Sequence, residues 1–217
     1  MPDLTIESRH RLNGCLRIAG VDEAGRGPLA GPVVAAAVFL PADYCHAKLD
    51  DSKKLSAAVR EELHQEITGD ARIRCAFALA TVEEIDRLNI LRATHLAMSR
   101  AVAALAALTE APDMVLIDGL PVRGFAWPQQ AVVKGDSLSL SIAAASIIAK
   151  VERDRLMRAL DAEFPQYRFA SHKGYGTAAH LAALQHHGPS PHHRRSFQPV
   201  AQLTLDFGES PLIGANA

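Results

Sequence analysis

Cysteine is scarce in this 217-residue chain: Cys15, Cys45 and Cys75 are the only three, and none belongs to a CxxC pair. An odd number without metal-ligand spacing reads as free thiols in a reducing compartment, not as a disulfide framework. Aromatic residues make up 5% and there is a single tryptophan. The uncharged apolar stretch from Gly27 to Ala42 is broken by glycine and proline and is too short to span a bilayer. The opening residues, MPDLTIESRHRLNG, lack the basic head and apolar core of a secretory signal. A soluble, cytoplasmic protein with no membrane partner is expected. An excess of charge is missing too. Lys plus Arg is 23 against 24 Asp plus Glu, so any attraction to nucleic acid must come from a local patch.

What is present is an ordinary globular composition, 48% apolar and 22% charged, which argues against disorder, collagen and coiled coil. The length suits one domain with a real core. Charge is uneven along it. From Phe164 to Leu205 there is no Asp or Glu, but there are Arg168, Lys173, Arg194 and Arg195, together with six histidines. Without those four cations, 19 basic residues face 24 acidic ones. The acidic part could hold cations and the basic part could touch phosphates.

Apolar runs at Leu16–Val21, Val33–Phe39, Ile73–Ala80 and Met114–Ile117 read as strands, with a further one at Ala131–Val133. Ser56 suits the cap of a helix ending at Gly69, a good residue for the position just past a helix end. Thr81–Ala111 reads as one or two helices closed by Pro112, and Leu138–Phe164 as a helix stopped by Pro165. Strands separated by helices imply an α/β layer fold with a mixed sheet. The divisions expected are a tail over 1–13, a catalytic domain over 14–200 whose C-terminal helical part begins near 165, and a tail over 201–217.

The densest signal runs from Ile18 to Pro32, where an apolar strand leads straight into Asp22 and Glu23 and then into glycines at 25, 27 and 31 around Arg26. Glycine lets a backbone approach another molecule closely, so this loop suits ligand contact through its own N–H groups. Neither the GxGxxG nor the GxxxxGK[ST] spacing is present, which excludes the dinucleotide fingerprint and the P-loop. A second strand ends in Asp118 and Gly119. If the two strands are neighbours, Asp22 and Asp118 converge beyond their carboxyl ends. Glu23 is awkward, because adjacent strand residues point to opposite faces. It joins the site only if the strand ends at Asp22 or if its carbonyl makes the contact. Asp136 precedes the long helix, where it could serve the site, an N-cap or both.

Carboxylates gathered without matching cations raise one another's pKa or recruit a metal. All-oxygen ligation suits Mg²⁺ or Mn²⁺. The pairs His186–His187 and His192–His193 lack HExxH or HxxxH spacing and read as structural or phosphate-contacting, not as zinc ligands. Tyr175, between two glycines, is hard to explain as core and suits substrate contact.

The stretch Val21-Asp-Glu-Ala-Gly-Arg-Gly, with Asp51-Ser-Lys-Lys-Leu-Ser56, closely resembles ribonuclease HII. The resemblance continues through Val115-Leu-Ile-Asp-Gly119, Lys134-Gly-Asp136, Ile142-Ala-Ala-Ala-Ser-Ile-Ile-Ala-Lys-Val151, Glu152-Arg-Asp154, His172-Lys-Gly-Tyr-Gly-Thr177 and His193-Arg-Arg-Ser-Phe197. It implies a ribonuclease H-like mixed five-stranded sheet flanked by helices, with a C-terminal helical extension. It further implies a metal-dependent endoribonuclease acting on RNA–DNA hybrids and 5′ of single ribonucleotides in duplex DNA, leaving 5′-phosphate and 3′-hydroxyl ends. Asp22, Glu23, Asp118 and Asp136 would be the catalytic carboxylates, the first three closest to metal. Gly25, Arg26 and Gly27 would read the ribose 2′-OH, and Tyr175 would stack on the following sugar. Two metal ions, Mn²⁺ or Mg²⁺, would clamp the attacking and leaving oxygens.

Lys53, Lys54, Lys173, Arg194 and Arg195 are candidate phosphate contacts, though each also suits a solvated surface. A resolvase or strand-transfer enzyme would need the carboxylates without the glycine loop or Tyr175. A silent nucleic-acid-binding protein would have no use for carboxylates facing a polyanion. In the tail, Gln202-Leu-Thr-Leu-Asp-Phe207 places Leu203, Leu205 and Phe207 on one side if extended. It suits an edge strand, or a peptide of the kind that docks on a sliding clamp. A monomer is expected.

Overall fold

The computed structural model describes residues 1–203. Its centre is a five-stranded sheet in the order β3-β2-β1-β4-β5. The strands are β1 (Ile18–Ala24), β2 (Val33–Phe39), β3 (Arg74–Ala80), β4 (Met114–Asp118) and β5 (Gln129–Val132). β1–β2 and β2–β3 pair antiparallel, whereas β1–β4 and β4–β5 are parallel, so the sheet is mixed. Alternation along each strand divides the core. Ala19, Val21, Ala35, Ala37, Val115 and Ile117 pack with α4 (Ile90–Leu108). On the opposite face Ala36 and Val38 pack with α2 (Ala57–Gly69) and α5 (Leu140–Glu163), which covers the centre of the sheet. The run Ala143-Ala-Ala-Ser146 keeps α5 slim enough to lie close over β1.

β2 and α2 fall where the sequence places them, and the Ser56 hydroxyl accepts from the Val59 N–H at 3.3 Å. Gly69 is the last helical residue and not the one beyond it; the chain leaves through Asp70 in an extended conformation. The helical stretch before Pro112 divides into α3 (Val82–Leu88) and α4 at Asn89 (φ 70°), whose side chain caps α4. β1 does not end at Asp22. Its antiparallel partner carries it two residues further, Glu23 opposite Ala35 and Ala24 opposite Val34. The cap of α5 is Ser139, whose Oγ accepts from the Ile142 N–H at 3.2 Å, while Asp136 sits earlier in a separate 3-10 turn, Gly135–Ser137.

Residues 1–13 are not a loose tail. Thr5–Leu12 form α1, and Glu7 is fully buried, its carboxylate accepting from the hydroxyls of Ser139 and Ser141, both at 2.6 Å. The C-terminal helical part comprises a 3-10 turn at Pro165–Tyr167, then α6 (Phe169–His172) and α7 (Ala178–His187). Gln202 and Leu203 are helical, with Leu203 against the Leu29–Leu184–Val200 cluster; the rest of the 202–207 peptide lies outside the described residues. Among the described residues, no helix is long and apolar enough to cross a membrane.

Candidate active site

The parallel register of β1 and β4 aligns Val21 with Ile117, so the next residues, Asp22 and Asp118, lie side by side where that pairing ends. Asp136 arrives from the other side. After β5 the chain reverses at Lys134 (φ 56°), and the Gly135 N–H donates to Asp118 Oδ1 at 2.7 Å. One carboxylate oxygen from each of Asp22, Asp118 and Asp136 lies within 4.8 Å of the others. Asp22 and Asp136 are buried, 4% and 5% exposed.

Glu23 shares the strand parity of Ala19 and Val21, so it falls outside this triad, although with Asp22 it lines one cavity. Its Oε1 accepts from Arg26 Nη1 at 3.2 Å. Lys53 is the cation nearest the triad in the ion pairs of the described residues, its Nζ 3.5 Å from Asp136 Oδ2.

The electrostatics follow from this imbalance. Burial pushes Asp22 well above the ordinary carboxylate range, and the charges of Glu23 and Asp118 add to the shift. Asp136 is raised by burial and by Asp118, against the pull of Lys53. Burial raises Glu23 despite Arg26. Burial would lower Lys53, but Asp136, Asp22 and Asp51 outweigh it and raise the ammonium. Three converging hard-oxygen ligands, short of positive charge, fit a divalent cation of the Mg²⁺ or Mn²⁺ kind.

A cavity of about 200 Å³ opens beside the carboxylates, bordered by Gly25, Arg26, Gly27, Lys53 and Tyr175. Tyr175 is 48% exposed, and a methyl added to Gly27 would stand 3.6 Å from its ring. The ring therefore lies against the glycine loop. A larger groove of about 310 Å³ between Leu79, Val82, Leu156 and Leu160 is apolar and contains none of the expected site residues, so the chemistry favours the smaller cavity.

The chain is similar to known proteins along most of its length. The ribonuclease HII family model matches residues 19–200. The chain belongs to the ribonuclease HII family. It is 57% identical over 193 residues to ribonuclease HII of Thiobacillus denitrificans, covering 89% of this chain and 92% of the relative. It is 54% identical over 203 residues to that of Ruegeria pomeroyi, covering 93% and 85%. The fold matches ribonuclease H2 from Pyrococcus horikoshii with a TM-score of 0.73 at 24% identity, over 89% of this chain and all of the other. It also matches the ribonuclease HII of a PCNA complex from Archaeoglobus fulgidus, with a TM-score of 0.67 at 27% identity over 84% and 96%. The chain is thus an endoribonuclease, on the mixed five-stranded sheet of ribonuclease H-like proteins.

Within this ribonuclease HII framework the expected phosphate contacts separate. Arg194 is not on the surface: it is fully buried, and its guanidinium donates to the carbonyls of Gly25 (2.5 Å), Arg26 (2.8 Å) and Gly31 (2.8 and 3.0 Å). With four of its five guanidinium N–H groups on backbone carbonyls and no exposed surface, Arg194 holds the glycine loop and offers no face to a phosphate. Arg195 is exposed, with its main-chain N–H on Asp86 at 2.9 Å. Lys53 borders the cavity, Lys54 pairs with Asp50 at 3.0 Å, and Lys173 is half-buried with its ammonium on the Ala170 carbonyl.

Residues without a role in the sequence reading also line the cavity. Arg153, 1% exposed, donates to the carbonyls of Ala30, Pro32 and Lys173, and Ser146 donates to Ser52 at 2.7 Å beneath Asp22. The signal for Arg153 was its place in the Glu152-Arg-Asp154 block, and for Ser146 a polar residue within an alanine run.

Two histidines, His180 and His193, form a buried neutral pair. His180 Nδ1 faces the Tyr175 carbonyl at 2.9 Å and must donate, so its Nε2 accepts from His193 Nε2–H at 3.0 Å. His193 Nδ1 then accepts from the Ser190 N–H at 2.9 Å. Burial, reinforced by the neighbouring His180, lowers His193 from 6.5 to about 3. A base held below its unfolded pKa leaves the unfolded chain binding more protons, so its contribution to stability is whole above pH 6.5 and declines as the pH falls toward 3. Between pH 7 and 5 that contribution should fall by about 2 kcal/mol. The raised carboxylates act in the opposite direction, so the check is a difference. Urea unfolding of wild type and His193→Gln at both pH values should show the steeper acid loss in the wild type.

Proposed function

We propose that this ribonuclease hydrolyses the RNA strand of RNA–DNA hybrids and cuts 5′ of single ribonucleotides embedded in duplex DNA, leaving 5′-phosphate and 3′-hydroxyl ends. The observation that carries the reading is the convergence of Asp22, Asp118 and Asp136 next to a glycine loop and an exposed tyrosine. Asp22, Asp118 and Asp136 would hold Mn²⁺ or Mg²⁺, with Glu23 contributing from the adjacent strand position. The bound ions would activate water and relieve charge on the leaving 3′-oxygen. Lys53, exposed beside the buried Asp136, offsets part of the carboxylate charge and would meet the substrate phosphates.

The backbone of Gly25, Arg26 and Gly27 borders the cavity with no side-chain bulk at the two glycines, which suits contact with a 2′-OH, the atom distinguishing RNA from DNA. Tyr175 offers an aromatic face to the next sugar. Incubation with Mn²⁺ or Mg²⁺ and a duplex bearing one ribonucleotide, with the ends mapped, tests the reading. No cut, or a cut on the 3′ side, rejects it.

Tyr175→Ala should lower kcat at a lone ribonucleotide by about tenfold to a hundredfold, since base or sugar stacking contributes roughly 1–3 kcal/mol in nucleic-acid sites. Duplex affinity, set by phosphate contacts, should change by less than about threefold in a gel-shift assay. Equal losses on all substrates would remove the junction-reading role.

We also propose that the 202–207 peptide docks on a sliding clamp, raising the local concentration of the nuclease on DNA. Because Val200 is buried and Leu203 packs on its cluster, truncation belongs after Leu203. Clamp pull-down should then be lost while cleavage of a short duplex is kept.

A further inference from the structure

Two loops border the cavity, residues 25–27 and 174–176, and both are gripped by one turn of chain. Arg194 takes the first through the carbonyls of Gly25 and Arg26. His193, its neighbour, takes the second through His180, which donates to the Tyr175 carbonyl. The segment between them joins the same frame: the Leu29 N–H donates to the Gly174 carbonyl at 2.8 Å, and the Arg194 N–H to the Leu29 carbonyl at 2.8 Å. Neither His193 nor Arg194 has an acidic hydrogen-bond partner among the described residues, and both are at most 1% exposed. A guanidinium and two imidazoles taken out of water, with their polar atoms spent on loop carbonyls and on one another, are an expensive way merely to fill a core. Arg153 adds a parallel tie from α5, from the Ala30 and Pro32 carbonyls to that of Lys173.

We infer that His193 and Arg194 are positioning residues that fix the distance between the glycine loop and Tyr175, and that discrimination for an embedded ribonucleotide depends on this fixed distance. The inference rests on the proposed reading of the sugar junction by these two loops. Its physical reason is geometric. A junction reader must touch the 2′-OH and the next sugar together, and an error of about 1 Å in the position of a reacting group can cost on the order of a hundredfold in rate.

The test compares wild type, R194K and H180N on a duplex with one ribonucleotide and on a long RNA–DNA hybrid. Lysine keeps the charge but, as a point donor, cannot span three carbonyls. The asparagine amide keeps a donor near the Tyr175 carbonyl and severs the link to His193. Each variant should lower the ratio of kcat on the embedded ribonucleotide to kcat on the hybrid by about tenfold, with KM within about twofold. Melting temperatures, and assays run well below them, separate this from unfolding.

Tyr175→Ala serves as the control. If it lowers the ratio and the two variants leave it unchanged, the positioning role is wrong and the junction reading stands. If Tyr175→Ala itself leaves the ratio unchanged, the junction reading fails and this inference falls with it. Equal losses on both substrates, or failure of both variants to fold, would make the turn a support of the fold only and overturn the inference.

Discussion

Asp118→Asn should lower kcat on a ribonucleotide-containing duplex by about a thousandfold or more while the protein stays folded, a loss on the scale of removing a principal electrostatic group from a preorganised site. The side chain accepts the Gly135 N–H at 2.7 Å through Oδ1, and an asparagine carbonyl preserves that bond. What changes is charge. The second oxygen becomes an amide that repels a cation, and the triad loses one of three negative ligands.

The same change relieves repulsion, because the Asp118 charge helps to raise both Asp22 and Asp136. A carboxylate whose folded pKa is raised opposes folding at neutral pH, so the variant in chelator should melt at or above the wild-type temperature. Added Mn²⁺ should raise the wild-type melting temperature by mass action and move the variant much less. Near-normal cleavage by the variant in saturating Mn²⁺, or an equal Mn²⁺ shift, would remove Asp118 from the metal-holding set.

Much of this site was legible because its parts are short and local. Two apolar runs each end in aspartate, and once β1 and β4 are parallel neighbours the convergence of Asp22 and Asp118 follows. The glycine loop was legible from spacing alone. Long-range placement was not. Arg194 and Arg195 are chemically alike and adjacent, yet one is fully buried against the glycine loop and the other exposed, a difference set by where the last turn docks.

The extension of β1 past Asp22 was hidden because acidic residues favour turns. Pairing with Val34 and Ala35 holds it in the sheet despite that preference. The docking of α1 was hidden for a similar reason. Glu7 looks like a surface residue in a polar helix, and the hydroxyls of Ser139 and Ser141 with the Ser141 N–H, more than 130 positions away in the chain, make its burial tolerable. These departures cluster where tertiary contacts override local preference, around the end of the sheet that carries the carboxylates.

Gly20→Ala should be the most damaging conservative substitution in the sheet. Gly20 sits in the middle of β1, opposite Val38 of β2 and Leu116 of β4, and it shares the face of Asp22 beneath α5. A methyl there would lie closer than 3.0 Å to the Ser141 carbonyl carbon and oxygen and to the Ile142 nitrogen. These atoms are backbone in the first turn of α5, so no rotamer change clears the space. The helix itself must lift.

Overpacking that side chains can absorb costs about 1–3 kcal/mol. Displacing a helix from a sheet should exceed that, reaching about 4 kcal/mol or more. For a protein of this length, that lowers the melting temperature by roughly 8–16 °C. Activity should fall further than stability, because Asp136 precedes α5 by one short turn and Ser146 lies on it, so lifting α5 moves both relative to Asp22. Gly69→Ala is the matched control: it lies at the exposed end of α2 with nothing within 4 Å of an added methyl, and should be neutral or stabilising by about 0.5–1 kcal/mol. Calorimetry of both variants, with cleavage measured well below each transition, checks the expectation. A Gly20→Ala melting temperature within about 2 °C of wild type, a shift worth less than roughly 1 kcal/mol at this size, would mean that α5 does not rest on β1 as closely as this geometry requires.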